Sequence, residues 1–256
     1  MSGIVISGAS RGLGAALARH YAGPGVRLLL VARSAEALAA VAADCTACGA
    51  VVRIHALDVR DAPALAAALA AFESTGPVDL VIANAGTSAG TAPDGTPESA
   101  AAAVRQIEVN LIGAINLVGP LLPGMRARRA GRIGLVASVS GLRGLPDFPA
   151  YCASKAGLWS WGEGLRSALG PSGIRVTVLA PGFFESAMGQ RFQGARPFEL
   201  SLDAAAARCA AALARGAAQA VFPWQIALTM RALALLPPRL GDWAARRVRF
   251  RVVADE

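Results

Sequence analysis

Tyrosine and histidine are scarce in this chain of 256 residues, which holds Tyr21 and Tyr151, His20 and His55, and no others of either kind. Cysteine occurs four times, at Cys45, Cys48, Cys152 and Cys209. Cys45 and Cys48 have the spacing of a redox or metal pair, but structural zinc wants a second pair or histidines close by. A redox pair normally opens a helix, whereas this one falls where an alanine-rich stretch runs out towards Gly49. Ordinary thiols and no metal site are expected. Acid is also in short supply: 17 acidic residues against 25 basic give a net charge of +8. That balance fits nucleic acid or an anionic surface, yet the arginines are spread along the chain. Their two clusters, Arg126-Arg128-Arg129-Arg132 and Arg246-Arg247-Arg249, are not interleaved with aromatics in a recognisable binding module. Nucleic acid is not an expected partner, and a phosphorylated cofactor needs only two or three of these cations. No apolar run reaches the roughly 18 residues of a membrane span. No basic stretch or small-residue cleavage site precedes Ile4-Val5-Ile6, so a cytoplasmic protein is expected. Nothing in glycine, proline or charge content marks a linker, and one domain over residues 1–256 is the reading.

What the chain does have is apolar residue, 54% against 16% charged, enough for a large core. Short apolar runs alternate with helical patterns. Ile4-Val5-Ile6 precedes a helix to about His20, and Arg27–Val31 precedes a helix over Ala35–Ala47. Val51–Leu57 comes before a helix over Pro63–Phe72, and Asp79–Ala83 before one long helix over Glu98–Leu122, stopped by Pro123-Gly124. Arg132–Ala137 leads to a helix over Tyr151–Leu169. Arg175–Leu179, a helix over Leu202–Ala214 and a short strand at Ala220–Phe222 complete the alternation. This order implies a parallel sheet with helices on both faces.

After the first strand comes Gly8-Ala9-Ser10-Arg11-Gly12-Leu13-Gly14, the arrangement expected of a phosphate-binding turn. Gly8 permits the bend, Gly12 admits a pyrophosphate to the backbone, and Gly14 lets helix and strand come close. Amides at the helix start then face the anion. An NAD site usually carries an acid about twenty residues on, for the ribose 2′-hydroxyl. Here Leu30-Val31-Ala32-Arg33-Ser34 has none. Arg33 offers a rigid fork for a 2′-phosphate, with Arg11 able to approach from the turn, which favours NADP; solvent-facing arginines are the plainer alternative.

Tyr151 lies one helical turn before Lys155, so the two side chains share a face. A phenol ionises near pH 10 and exchanges protons poorly at neutrality unless its anion is stabilised, which the Lys155 ammonium is suited to do. Ser138, at the end of the fifth strand, is suited to hydrogen-bond and orient a carbonyl. Alone, such a Tyr–Lys pair is more often a surface pair and such a serine a strand-end cap. Together, at the carboxyl edge of an open α/β sheet, they mark a ligand site.

With these motifs in order, the chain resembles the classical short-chain dehydrogenase/reductase family from Ser2 to about Phe222. The likeness rests on Ser7–Gly14, Asp58-Val59, Ala83-Asn84-Ala85-Gly86, Asn110, Ser138 thirteen residues before Tyr151, Lys155, and Pro181-Gly182. It implies a Rossmann-like doubly wound parallel sheet of about seven strands and an NADP(H)-dependent interconversion of a carbonyl and a secondary alcohol. It further implies that Asp58 meets the adenine amino group with Val59 beside the ring, and that Asn84, Ala85 and Gly86 line the cofactor cleft. Asn110 would hold a water in a proton relay from Lys155. Ser138 would position substrate and Tyr151 exchange the proton, while Lys155 binds the nicotinamide ribose and lowers the phenol's pKa. Pro181, Gly182, Phe184 and Ser186 would border the nicotinamide, Ser186 standing where a threonine is usual; Ala83 likewise replaces an asparagine. An NAD-dependent enzyme of the same fold is the alternative, and a non-catalytic dinucleotide sensor a more distant one.

A lid is expected over about 183–200, where Phe183, Phe184, Met188, Phe192 and Phe198 either face substrate or pack beneath the lid. Arg143, Arg191 and Arg196 leave a carboxylate or phosphate substrate open. The extension over about 223–256 carries an apolar helix, Trp224–Leu236, then Trp243 and a basic segment. It either packs within the molecule or on a neighbouring subunit, or touches an anionic membrane. The family likeness implies a homodimer or homotetramer, with Gly157, Gly162 and Gly164 permitting close approach.

Overall fold

Runs of consecutive apolar residues form the strands because both faces of the sheet are covered. The computed structural model describes residues 1–90, 96, 98–186, 189, 192–247 and 251–252. In order these give β1 (Ser2–Ser7), α1 (Gly12–Tyr21), β2 (Val26–Ala32), α2 (Ala35–Ala47), β3 (Val51–Ala56), α3 (Ala62–Glu73) and β4 (Leu80–Ala83). There follow α4 (Ala100–Ile107), α5 (Gly113–Val118), α6 (Leu122–Arg128), β5 (Gly131–Val136), α7 (Pro149–Leu169) and β6 (Ile174–Pro181). Last come β7 (Phe192–Gln193), α8 (Leu202–Arg215), β8 (Gln219–Phe222), α9 (Trp224–Leu235), α10 (Pro238–Arg247) and β9 (Arg251–Val252).

Seven strands form one parallel sheet in the order β3-β2-β1-β4-β5-β6-β8. Alternate residues of β1 feed opposite layers. Ile4 and Ile6 pack with Leu17 of α1, Leu38 of α2 and Leu213 of α8, and Val5 packs with Leu69 of α3, Leu117 of α5 and Leu158 of α7. This is the doubly wound α/β architecture expected. Between β1 and β4 the strand order reverses, so the loops that follow them diverge and open a crevice at the carboxyl edge. A separate antiparallel pair joins β7 to β9.

The long helix departs from expectation. α4 passes into a π turn at Glu108–Ile112, then α5, a 3-10 turn at Gly119–Leu121 and α6, so helical backbone continues past Pro123-Gly124 to Arg128. Pro120 and Pro123 stand in the first turns of the 3-10 segment and of α6, where a missing N–H costs little. The run ends at Arg129, which is left-handed with φ 51°. Ala100–Arg128 is long and apolar enough by composition to cross a membrane, but Leu117, Leu121 and Met125 are fully buried against the sheet. α10 is also additional: Pro238 opens a helix rather than only ending the one before. Met188, Arg191 and Arg249 lie outside the described residues, as does the side chain of Phe192.

Candidate active site

The glycine turn is shaped by what it touches. A Cβ on Gly14 would lie 2.2 Å from the Gly8 carbonyl oxygen and 2.5 Å from Asn84 Nδ2, so only glycine lets α1 sit this close. Gly12 has φ +56° and faces open space, with nothing within 4 Å of a Cβ placed there. That leaves bare backbone beside the N-terminus of α1, which suits a pyrophosphate. Leu13 is buried, Ser10 half-buried, and Arg11 exposed at the N-cap of α1. Asn84 binds the turn to β4: its Nδ2 donates to the Ser7 and Gly8 carbonyls at 3.0 and 3.2 Å. The buried Ser7 hydroxyl accepts from the backbone N–H groups of Asn84 and Ala85, both at 3.1 Å.

At the ends of β2 and β3, Arg33 is exposed and Asp58 partly so. Arg60, unremarked in the sequence reading, clasps the Asp58 carboxylate at 2.8–3.1 Å and reaches Glu108 at 3.3 Å. Arg60 holds the Asp58 carboxyl below its usual range, and the field of Arg33 adds to this. Much of the acceptor capacity that the family likeness assigned to adenine is therefore taken by Arg60. The available signal was a cation two residues beyond the acid. Val59 is buried, and its carbonyl accepts from Asn116 Nδ2 at 3.0 Å. The glycine cradle, the helix N-terminus and the exposed Arg11 and Arg33 fit a dinucleotide.

Ser138 follows β5 by two residues and opens a 3-10 turn, Val139–Gly141. Gly141 rests on α7: a Cβ there would meet the Lys155 carbonyl carbon at 2.9 Å. This contact sets the serine turn beside the helix that bears Tyr151 and Lys155. The start of α7 is held by Glu98, whose Oε1 accepts from the Ala150 N–H at 2.7 Å and whose other oxygen accepts from Gln106. A carboxylate there also suits the helix dipole. Lys155 is buried and its Nζ donates to the Val136 carbonyl at 2.7 Å, 5.7 Å from the centre of the Tyr151 ring. Burial pulls the Lys155 ammonium down to about 8. Burial likewise pushes the Tyr151 phenol up to about 12, a hydrogen bond with Ser138 partly opposing it. The expected direction was down. In the chain by itself the cost of charging a phenol in an apolar wall prevails, and the lysine's charge is spent on a backbone carbonyl.

Asn110 sits on the π turn and is almost fully buried. Its Oδ1 accepts from the Thr87 N–H at 2.7 Å, and its Nδ2 donates to the Thr87 carbonyl at 3.0 Å and to Ser154 Oγ at 2.9 Å. Ser154 in turn donates to the Tyr151 carbonyl at 2.7 Å. Between Asn110 and Lys155 stands Gly86, where a Cβ would lie 3.4 Å from both Oδ1 and Nζ.

Tyr151 and Ser138 line a cavity of about 340 Å³ whose other walls include Phe148, Phe183, Phe184, Phe198 and Met230. Three of the lid phenylalanines thus face this space. Gly182 and Ser186 line it too, and Ser186 Oγ accepts from the Gly189 N–H at 2.9 Å; Pro181 is buried where β6 ends. Arg143 and Arg196 are engaged elsewhere, by Asp242 at 2.7 Å and Glu199 at 2.8 Å. A larger hollow of about 720 Å³ lies between the 141–146 loop, α7 and α10, and Tyr151 is not among its walls. Size alone does not locate chemistry, and the smaller cavity is the one walled by Ser138 and Tyr151. On α7, Gly162 faces the sheet against Val178 and Leu135, and Gly157 faces Leu111. Of the three glycines expected to admit a partner, only Gly164 has open space above it.

Comparison with known proteins agrees with this geometry. The family model described as short chain dehydrogenase matches residues 2–196. An uncharacterised oxidoreductase of Myxococcus xanthus is 36% identical over 246 residues, covering 96% of each chain. Actinorhodin polyketide ketoreductase with NADPH superposes with a TM-score of 0.75 at 27% identity, covering 86% of this chain and 94% of the other. NAD+-bound xylitol dehydrogenase superposes with a TM-score of 0.69 at 26% identity, covering 74% and 73%.

Proposed function

Since the chain belongs to the short-chain dehydrogenase/reductase family and is an NAD(P)(H)-dependent oxidoreductase of that fold, we propose that it interconverts a ketone and a secondary alcohol with NADP(H), using Tyr151 as acid and base. The observation that carries this reading is a phenol hydrogen-bonded to Ser138 in the wall of a largely apolar cavity, one helical turn from a buried lysine. Bound NADPH supplies a hydride from the nicotinamide ring. The chain's own residues do the rest.

In reduction, Ser138 donates to the substrate oxygen and turns the carbonyl carbon towards the cofactor face of the cavity. Tyr151 gives its proton to that oxygen, and in oxidation it takes the proton back. Lys155, charged at neutral pH, favours the phenolate once the cavity is closed. Asn110 positions Ser154, the start of α7 and the loop at Thr87. Gly8, Gly12 and Gly14 cradle the pyrophosphate, and Arg33 and Arg11 receive the 2′-phosphate. The lack of an acid after β2 supports NADP over NAD, although relatives include users of each. The aromatic and aliphatic lining favours an apolar or ring-bearing ketone. Homo-oligomers are part of the same proposal, with the face of α7 around Gly164 as a contact.

Replacing Tyr151 with Phe tests the reading: turnover of a ketone panel, followed at the NADPH absorbance, should fall by about 10²–10⁴-fold while NADPH binding persists. Undiminished turnover would remove Tyr151 from the chemistry. Cofactor binding without turnover of any carbonyl by the unmodified chain would favour the sensor reading.

A further inference from the structure

Helix α9 is apolar on two opposite faces. Ile226, Met230 and Leu233 turn inward and wall the substrate cavity. At about 3.6 residues per turn, Trp224, Leu228 and Leu235 share the other side, and they are 67%, 60% and 86% exposed. A helix apolar all round is normally covered all round. The apolar surface continues through Leu236 and Leu240, both exposed, into α10. Arginines are set into it. Arg231 lies on the outer stripe between Leu228 and Leu235, and Arg239 is exposed on α10. The one acid in residues 224–247, Asp242, is held by Arg143 at 2.7 Å.

We propose that the outer face of α9 and α10 docks on an anionic lipid bilayer. Tryptophan and leucine enter the boundary between headgroups and acyl chains, while the arginines pair with lipid phosphates. A second copy of this chain fits less well. Two-fold pairing of the same face sets Arg231 and Arg239 against their own kind, and the face has no unpaired acid to answer them. Because the inner side of the same helix walls the cavity, docking puts the substrate site one helix thickness from the bilayer, within reach of a membrane-dissolved ketone. This inference is independent of which dinucleotide is used.

The test is flotation of the full chain with vesicles of phosphatidylcholine alone and of phosphatidylcholine mixed with phosphatidylglycerol. The protein should float with the mixed vesicles and much less with the neutral ones, and high salt should release it. Trp224→Ser/Leu228→Ser/Leu235→Ser and, separately, Arg231→Glu/Arg239→Glu should each lower the partition coefficient by about tenfold or more while NADPH binding is kept. These side chains lie off the cavity, and the charge-reversed variant serves if the triple variant does not fold. Failure of the unmodified chain to float, equal flotation with both vesicle types, or no effect of either variant overturns the proposal. A shift to a smaller species in light scattering for the triple-serine variant, without vesicle binding by the parent, assigns the face to a second copy instead.

Discussion

Arg27 is 6% exposed, and its guanidinium is satisfied by backbone carbonyls, a hydroxyl and a ring rather than by an acid. It donates to the Phe72 and Pro77 carbonyls at 3.3 and 3.0 Å and to Thr75 Oγ1 at 2.7 Å, and it stacks 4.6 Å over the Phe72 ring. It thereby ties β2 to the C-terminal end of α3, where carbonyls carry partial negative charge. Arg27→Ala should cost about 2–4 kcal/mol in denaturant unfolding, since charged hydrogen bonds and packing go together; a loss within error would show that the contacts are replaced by water. Arg33 makes the opposite kind of prediction, about a ligand. Arg33→Asp should move the ratio of kcat/KM for NADPH over NADH by about tenfold or more towards NADH, and an unmoved ratio would place the choice elsewhere. Residues such as Ser138, Tyr151 and Lys155 were legible because their spacing along the chain is itself the motif. Arg60 and Glu98 were not, because what they hold is decided by packing: Arg60 reaches Glu108 from β3's end, and Glu98 meets Ala150 from 52 positions away.

At the scale of elements, the alternation of strands and helices read correctly because apolar runs and glycine or proline boundaries are local signals. Regular periodicity hid the interruptions. The π turn that carries Asn110 is written in no residue type, since Glu108–Ile112 would serve equally in an unbroken α-helix, and on it Asn110 bonds Thr87 and Ser154. Pro123 misled for a related reason: it forbids a hydrogen bond that first-turn residues do not make. The serine turn supplies the sharpest test here. Gly141→Ala would set a methyl 2.9 Å from the Lys155 backbone, so Ser138 should be displaced from Tyr151. We expect kcat to fall by about 10²-fold with NADPH affinity unchanged, the usual cost of misplacing a reacting group by an ångström. An unchanged kcat would mean that the turn relaxes without moving the hydroxyl.

For the molecule as a whole, burial of the Tyr–Lys pair is a stability cost that pH should reveal. Lys155 titrates at about 8 folded against an ordinary 10.5. The unfolded chain therefore keeps a proton that the folded chain has lost between those values, and this group's contribution to stability rises with pH from about 8 to 10.5. Cys209, pushed up to about 12, and Cys152, up to about 11, act oppositely: their stabilising contribution is present below pH 9 and declines as pH rises towards those values. The comparison is accordingly between the parent and Lys155→Met. Their stability difference, followed by urea melts across pH 8–10.5, should change in the parent's favour as pH rises, and a flat difference would mean that the amine is solvated.

Leu145 belongs to the walls of both the 340 Å³ and the 720 Å³ hollows. The partition between them is in part a single aliphatic side chain, with Phe148 on one side and Arg143 on the other. Shortening it would open a passage into the larger chamber, and the length of molecule the enzyme accepts would then be set by a different room.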